Sequence, residues 1–155
     1  MLKAGETAPD FALPDQHGAT QSLSNLLAAS GDLIVYFYPV DFSPVCTAET
    51  CAFRDNYDGL DDLGIQIVGI SPQSQSSHKR FAEQFNVPFP LLADPKKEAI
   101  KAFGVDGPLG FGVRRVTFHI DASQTIKHRV ISDLFVGSHL DLLKKAVAGK
   151  APGGT

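Results

Sequence analysis

The chain has 155 residues, of which 43% are hydrophobic and 20% charged, which is the length of one ordinary domain and the composition of a globular rather than a disordered or fibrous protein. Its 14 lysines and arginines stand against 17 acidic residues and give a formal net charge of -3. This balance supplies no positive field for a polyanion or an anionic lipid surface, so we expect neither nucleic acid nor a membrane as a partner.

The first part of the chain contains a predicted hairpin followed by a predicted buried strand. The turn-like stretch PDQHG at residues 14–18 lies between short segments with apolar side chains, which is typical of a small hairpin. Residues 33–38, LIVYFY, form a continuous apolar, β-branched and aromatic run. Such a run predicts a strand that is buried on both faces, and Pro39 ends it.

A long helix is predicted after that strand. Ser43 has a side chain that the N-cap position favours, and Pro44 suits the first helical position. Apolar residues recur at helical spacing as far as residue 63, and Gly64 is a typical stop signal. We therefore predict one helix over residues 44–63.

The rest of the chain alternates between strands and helices. In chain order we predict a strand at residues 65–70, a helix capped near Ser76 or Ser77 that runs through Phe85, an extended piece at 88–94, a short helix at 96–103, a glycine-rich connection at 104–112, strands at 116–120 and 125–131, and an amphipathic helix at 140–147.

These elements define an α/β fold class. Apart from the N-terminal hairpin and an insertion at residues 88–112, the order is strand, helix, strand, helix, strand, strand, helix, which resembles that of the thioredoxin-like fold. Two strand–helix units imply parallel strands, and the closing hairpin adds antiparallel ones, so we expect a mixed central sheet flanked by helices. Residues 1–149 are expected to form one domain and residues 150–155 a flexible tail.

The two cysteines, Cys46 and Cys51, are too few for a disulfide scaffold. The five histidines are dispersed, and we expect each of them at the surface or within one of the two predicted hairpins. We therefore predict no metal site and no cofactor. The longest apolar run, residues 33–38, is too short to cross a membrane, and the first residues lack the apolar core of a secretory signal, so a cytoplasmic location is expected.

The position of Cys46 favours a thiolate. In the predicted helix it lies in the first turn, where unpaired backbone N–H groups and the helix dipole stabilise an anion. Cys51 follows five positions later, about 140° around the axis and about 8.7 Å away, beyond the reach of a disulfide at about 7 Å. The two thiols can therefore bond only if the start of the helix unwinds. A buried, inert Cys46 is the open alternative.

The sequence around Cys46 resembles a known family. Residues 39–47, PVDFSPVCT, are similar to the peroxiredoxin active-site motif, Pro-x-x-x-Thr/Ser-x-x-Cys. The second cysteine five residues later resembles the peroxiredoxin Q subfamily, also called bacterioferritin comigratory protein. The similarity extends over further segments of the chain: residues 5–11, 69–72, 77–79, 88–94 and 115–118.

The resemblance implies a role for each of six residues: Cys46 as the peroxidatic cysteine, Cys51 as the resolving cysteine, Pro39 as a shield of the pocket, Ser43 as a hydrogen-bond partner of the peroxide, Arg115 as the stabiliser of the thiolate and the transition state, and Glu49 as the residue that orients Arg115. It further implies a monomeric enzyme that reduces hydrogen peroxide and organic hydroperoxides. A thioredoxin-type dithiol would restore the two thiols by exchange.

The sequence also departs from the subfamily pattern. Val45 stands where glycine is common, and Ser43 replaces the more frequent threonine. The stretch at residues 104–112 is shorter and less basic than the corresponding loop. Arg114 adjoins Arg115, and Arg54 is a reserve candidate for the cationic role.

Two other classes of function remain open at this point. A thiol–disulfide oxidoreductase or redox sensor would use the same cysteine pair to exchange with proteins. A non-enzymatic binding module would retain only the fold. The spacing of the cysteines and the Pro39, Ser43 and Arg115 setting favour the peroxidase over the oxidoreductase. The binding module predicts an ordinary pKa of about 8.5 for the Cys46 thiol, which the pH dependence of alkylation would test.

Overall fold

A five-stranded mixed sheet lies at the centre of the computed structural model. The structure describes residues 1–132 and 136–150, without the side chains of Val136 and Lys150. Its elements are, in chain order, β1 (Ala12–Pro14), β2 (Thr20–Ser22), α1 (Leu23–Ser30), β3 (Asp32–Phe37), α2 (Pro44–Asp62), β4 (Ile65–Ser71), α3 (Gln75–Phe85), β5 (Leu91–Ala93), α4 (Glu98–Ala102), a short 3₁₀ helix (Pro108–Gly110), β6 (Val116–Ile120), β7 (Ile126–Ile131) and α5 (Val136–Lys150).

The sheet has the strand order β5-β4-β3-β6-β7. β3, β4 and β5 are parallel, whereas β6 is antiparallel to both β3 and β7. The helices α2 and α3 provide the crossovers that parallel neighbours require. The predicted mixed sheet flanked by helices is confirmed. The segment predicted as an insertion is partly built into this sheet, because β5 pairs with β4.

The predicted N-terminal hairpin is confirmed, and a helix that the sequence patterns did not predict follows it. β1 and β2 pair antiparallel. The hydroxyl of Ser22 accepts a hydrogen bond from the backbone N–H of Asn25 at 3.2 Å and caps α1. Only Leu23 and Leu27 of this helix are fully buried. A helix with so few buried positions gives little periodic signal.

Both faces of β3 are buried, as predicted. Its alternate residues enter two apolar clusters on opposite faces of the sheet: Leu33, Val35 and Phe37 in one, and Ile34 and Tyr36, followed by Tyr38 just after the strand, in the other. The second cluster also contains Cys46, Phe53 and Leu60 of α2. The start of α2 is therefore held against the sheet by the apolar side of the helix.

The bounds of α2 agree with the prediction to within one residue, because Ser43 caps it and Pro44 begins it. The predicted cap of α3 at Ser76 or Ser77 is wrong. Ser74 is the N-cap, and its hydroxyl accepts a hydrogen bond from the N–H of Ser77 at 3.2 Å. Several serines in a row offer equivalent caps, and sequence cannot choose among them.

The last two helices also differ in length from the predictions. α4 is shorter, because Lys97 adopts a left-handed conformation with φ 57° just before it. α5 extends beyond the predicted 140–147 at both ends. Residues 151–155 of the predicted tail lie outside the described residues. Within the described part of the chain, no helix is both long and apolar enough to span a membrane.

Candidate active site

Cys46 lies in the first turn of α2, the helix that follows β3 after a short loop. It is 0% exposed and carries a free thiol. Its backbone N–H donates to the hydroxyl of Ser43 at 3.3 Å, so this hydroxyl caps the turn that holds the sulfur. Cys46 is thus in the first turn of α2, as predicted, where the dipole of the helix favours negative charge on the sulfur.

Arg115 reaches Cys46 from the neighbouring strand. It directly precedes β6, and the register pairs Val116 of β6 with Phe37 at the end of β3. This register places Arg115 beside the C-terminal end of β3, from which the chain continues to Cys46. Its Nη2 donates to Cys46 Sγ at 2.8 Å, and the residue is 5% exposed. A buried guanidinium at this distance stabilises negative charge on the sulfur.

The reserve candidate, Arg54, does not belong to this site. Its Nη1 donates to the carbonyl of Phe85 at 2.7 Å, and its Nη2 lies 3.0 Å from the carboxylate of Asp55. Arg114 donates its backbone N–H to the carbonyl of Val105 at 2.7 Å. The structure therefore brings Arg115, and not Arg54, to the sulfur.

Glu49 is buried beneath Arg115. It lies one turn after Cys46 in α2 and is 0% exposed, with its Oε1 3.6 Å from Nε of Arg115. Burial raises the pKa of Glu49 from its ordinary 4.5 to about 8, against the opposing effect of the Arg115 charge. The carboxyl group is therefore largely protonated at neutral pH.

His139 of α5 completes this group, and sequence reasoning missed it. Its Nε2 donates to the carbonyl of Ser132 at 2.9 Å, and its Nδ1 lies 2.6 Å from Oγ1 of Thr117 and 3.4 Å from Oε2 of Glu49. We call Glu49, Thr117, Arg115 and His139 the Glu49 cluster. It connects α2, β6 and α5 directly behind the sulfur.

The expectation that every histidine lies at the surface or in a predicted hairpin is wrong for His78 and His139, which are both buried. A signal was present in the sequence. Each histidine begins an apolar stripe with members three, four and seven positions later, the spacing of a core-facing helical side, and all of these members except the partly buried Phe85 are buried. The stripes are His78, Phe81, Ala82 and Phe85, and His139, Leu142, Leu143 and Ala146.

Cys51 and Pro39 lie apart from this contact network. Cys51 is partly exposed, carries a free thiol and belongs to the same uninterrupted helix as Cys46. An intact helix keeps the two residues about 8.7 Å apart, too far for a disulfide. Pro39 is half-buried at the beginning of the loop of residues 38–43, which we call the active-site loop. Within the described residues, no group of three or more His, Cys, Asp and Glu side chains is placed to hold a metal ion.

Comparison with known proteins assigns this site to a family. The sequence model of the AhpC/TSA family matches residues 4–129. Peroxiredoxin Bcp of Escherichia coli strain K12 is 38% identical over 148 residues, which cover 92% of this chain and 93% of that protein. The chain therefore belongs to the AhpC/TSA family. Its relatives place it among the peroxiredoxins, which are thiol peroxidases.

Two solved structures agree with this assignment. Peroxidoxin BcpB from Mycobacterium tuberculosis superposes with a TM-score of 0.90 and 34% identity, covering 98% of this chain and 100% of that one. The bacterioferritin comigratory protein of Xanthomonas campestris, described for its alkyl peroxide reduction activity, has a TM-score of 0.81 and 27% identity over 90% of each chain. The thioredoxin-like fold and the subfamily resemblance are thus confirmed.

Proposed function

We propose that this protein reduces hydrogen peroxide and small organic hydroperoxides with Cys46 as the attacking thiolate. One observation carries the proposal: a buried arginine donates to the cysteine sulfur at 2.8 Å in the first turn of a helix. That arrangement stabilises a thiolate and also the negative charge that develops on the departing oxygen. The alkyl peroxide reduction of the Xanthomonas protein supports the same chemistry here.

In the first step the Cys46 thiolate attacks one peroxide oxygen. An S–O bond forms, the O–O bond breaks, and the departing alkoxide takes a proton and leaves as an alcohol, or as water from hydrogen peroxide. The sulfur is oxidised to a sulfenic acid and the peroxide is reduced. Arg115 is positioned to stabilise both the attacking sulfur and the departing oxygen.

The other site residues support this step. The Ser43 hydroxyl accepts from the Cys46 N–H at 3.3 Å, which leaves its own O–H proton for the peroxide. Glu49, with Oε1 3.6 Å from Arg115 Nε, orients the guanidinium. Pro39 shields the pocket from the side of the active-site loop. These three roles follow from the family motif together with the contacts around the sulfur.

In the second step the Cys51 thiol attacks the sulfenic sulfur, an S–S bond forms, and water leaves. The intact helix separates the two cysteines by about 8.7 Å, so α2 has to unwind at its start before this bond can form. An external dithiol of the thioredoxin type then exchanges with the disulfide, is itself oxidised, and restores both thiols. We propose a monomer that works without metal or cofactor in the reducing cytoplasm, consistent with two free thiols.

Peroxide consumption tests the proposal. The reduced protein, supplied with thioredoxin, thioredoxin reductase and NADPH, is expected to consume hydrogen peroxide and cumene hydroperoxide far faster than free cysteine does. Exchange with glutathione disulfide is measured in parallel. Rapid exchange without peroxide consumption would overturn the proposal in favour of a thiol–disulfide oxidoreductase, and the absence of both activities would favour a binding module.

A further inference from the structure

A second group of polar side chains joins the active-site loop to the body of the protein. Its centre is Asp41 in the loop, which is 4% exposed. The Tyr38 hydroxyl donates to Asp41 Oδ1 at 2.7 Å, the Ser77 hydroxyl donates to Oδ2 at 2.7 Å, and His78 Nδ1 lies 2.7 Å from the same Oδ2. We call these four residues the Asp41 cluster. It joins the loop to α3.

Each ring nitrogen of His78 lies within hydrogen-bond distance of an oxygen atom. Nδ1 faces the carboxylate of Asp41, and Nε2 lies 3.0 Å from the carbonyl oxygen of Leu92 in β5. The carbonyl oxygen only accepts hydrogen bonds, so Nε2 donates to it, and one proton lies between Nδ1 and Asp41 Oδ2. The Tyr38 hydroxyl, 3.4 Å from Nδ1, already donates to Asp41. Both side chains are completely buried, so the contact between His78 and Asp41 is shielded from water.

The cluster holds a strained stretch of backbone. Phe42, the residue after Asp41, has φ 67°, a left-handed conformation that is unfavourable for a bulky side chain. Such a conformation persists only where surrounding contacts fix it. The Asp41 side chain fixes the loop on one side of Phe42, and the Phe42 ring packs against Phe81 of α3 with ring centres 5.1 Å apart. The next residue, Ser43, caps the helix that carries Cys46.

We propose that Asp41 and His78 are positioning residues, which hold the active-site loop so that Ser43 and Cys46 keep the arrangement that reacts with peroxide. The same contacts oppose the unwinding of α2 that the Cys46–Cys51 disulfide needs. The cluster therefore sets the ratio of the rates of the two steps. It speeds the formation of the Cys46 sulfenic acid and slows the formation of the Cys46–Cys51 disulfide. This inference rests on the proposed function.

The ring nitrogens of His78 can be tested one at a time. The amide nitrogen of asparagine occupies about the place of histidine Nδ1, and that of glutamine about the place of Nε2. His78→Asn therefore keeps a donor for Asp41, and His78→Gln keeps only the donor for Leu92. Asp41→Asn removes the charge at the centre of the cluster. His17→Gln, an exposed histidine, is the control.

The two steps are measured separately. The chain has no tryptophan, so the reaction of reduced protein with hydrogen peroxide is quenched at millisecond intervals with an alkylating agent, and sulfenic acid and disulfide are counted by mass. We expect Asp41→Asn and His78→Gln to slow sulfenic acid formation and to speed its resolution, each by about tenfold, the effect of one lost charge-assisted hydrogen bond. His78→Asn is expected to remain within about threefold of the wild type, and His17→Gln to equal it.

The outcomes separate this inference from the proposed function. If the wild type forms no Cys46–Cys51 disulfide, the proposed function fails. If the wild type forms it and both Asp41→Asn and His78→Gln leave the ratio of the two rates unchanged, the cluster is only structural and the inference fails. If Asp41→Asn does not fold, the difference between His78→Gln and His78→Asn decides.

Discussion

Two buried carboxyl groups lie close to the start of α2, and their surroundings differ. Asp41 accepts three hydrogen bonds, each at 2.7 Å, from a tyrosine, a serine and a histidine. Glu49 has an arginine and a histidine at 3.6 and 3.4 Å, and among the described residues neither of its oxygens accepts a hydrogen bond. The first environment satisfies the carboxyl group with short hydrogen bonds, whereas burial without such bonds in the second raises the pKa of Glu49.

This difference has a consequence for Arg115. Burial raises the pKa of Glu49 to about 8, so this carboxyl group is mostly neutral at pH 7. In the proposed mechanism a neutral Glu49 orients Arg115 without cancelling its charge, and the Arg115 guanidinium donates to Cys46 Sγ at 2.8 Å. Asp41, by contrast, is in direct hydrogen-bond contact with His78 at 2.7 Å. The Glu49 cluster thus supports the chemistry, and the Asp41 cluster supports the backbone.

The largest expected effect is that of Cys46→Ser, which removes the nucleophile. We expect the rate of peroxide reduction to fall by more than about 10³-fold, since no other group in the site can take the oxygen. Cys51→Ser is expected to keep one rapid turnover and then to stop without an added thiol. Peroxide consumption under single and multiple turnover distinguishes these outcomes, and a rapid first turnover by Cys46→Ser would contradict the assignment.

Arg115→Ala is expected to have the next largest effect. The loss of one preorganised donor to the developing charge lowers the second-order rate with peroxide by about 10²–10³-fold. Arg54→Ala serves as the matched control, because Arg54 contacts Phe85 and Asp55 instead of the sulfur. Stopped-flow rates with hydrogen peroxide give the comparison. Equal losses in the two variants, or an Arg115→Ala loss that exchange with glutathione disulfide shares, would favour the oxidoreductase alternative.

Glu49→Gln tests the difference between the two carboxyl groups through the pH dependence of stability. Between pH 4.5 and about 8 the folded Glu49 keeps a proton that the unfolded chain releases. The free energy of unfolding therefore falls with rising pH in this window, by up to about 1.4 kcal/mol per pH unit from this group. Glutamine cannot titrate, so we expect the variant to gain stability relative to the wild type from pH 5 to pH 8.

Urea unfolding of both proteins at several pH values measures this difference. Asp41→Asn is the matched comparison, because the Asp41 side chain of the wild type has three hydrogen-bond partners. If the unfolding free energies of wild type and Glu49→Gln stay parallel from pH 5 to pH 8, Glu49 is ionised in the folded protein and the contrast between the clusters is wrong.

Ser43→Ala is expected to have the smallest effect. The hydroxyl caps α2 through the Cys46 N–H, and the loss of an N-cap destabilises by about 1 kcal/mol. Because the hydroxyl is also proposed to donate to the peroxide, we expect the second-order rate to fall as well, whereas Ser43→Thr keeps both properties. Thermal unfolding and stopped-flow rates separate the two roles, and an unchanged rate in a destabilised Ser43→Ala protein would restrict Ser43 to capping.

Much of the fold could be predicted from the sequence because its central elements have unambiguous local signals. The apolar run at residues 33–38 is buried on both faces, and a serine and a proline fix the start of α2. The position of Cys46 in the first turn follows directly. The helix α1 escaped prediction, because its two buried leucines give too weak a periodicity.

The sequence predicted only those residues of the site that lie in one local segment or that the family resemblance implies. Arg115 and Glu49 were named from the family resemblance, but the environment of the buried Glu49 includes His139 of α5, which lies near the far end of the chain. The Asp41–His78 pair likewise joins a loop and a helix that are distant in sequence. Contacts of this kind are set by packing, which the local pattern does not record.

The most direct test of the peroxidase mechanism is to mix the fully reduced protein with one equivalent of hydrogen peroxide, quench with an alkylating agent within milliseconds to seconds, and map the products by mass. We expect a Cys46 sulfenic acid that disappears as an intramolecular Cys46–Cys51 disulfide forms, which requires unwinding at the start of α2. Oxidation that is no faster than that of a free thiol, or that does not select Cys46, would contradict the mechanism.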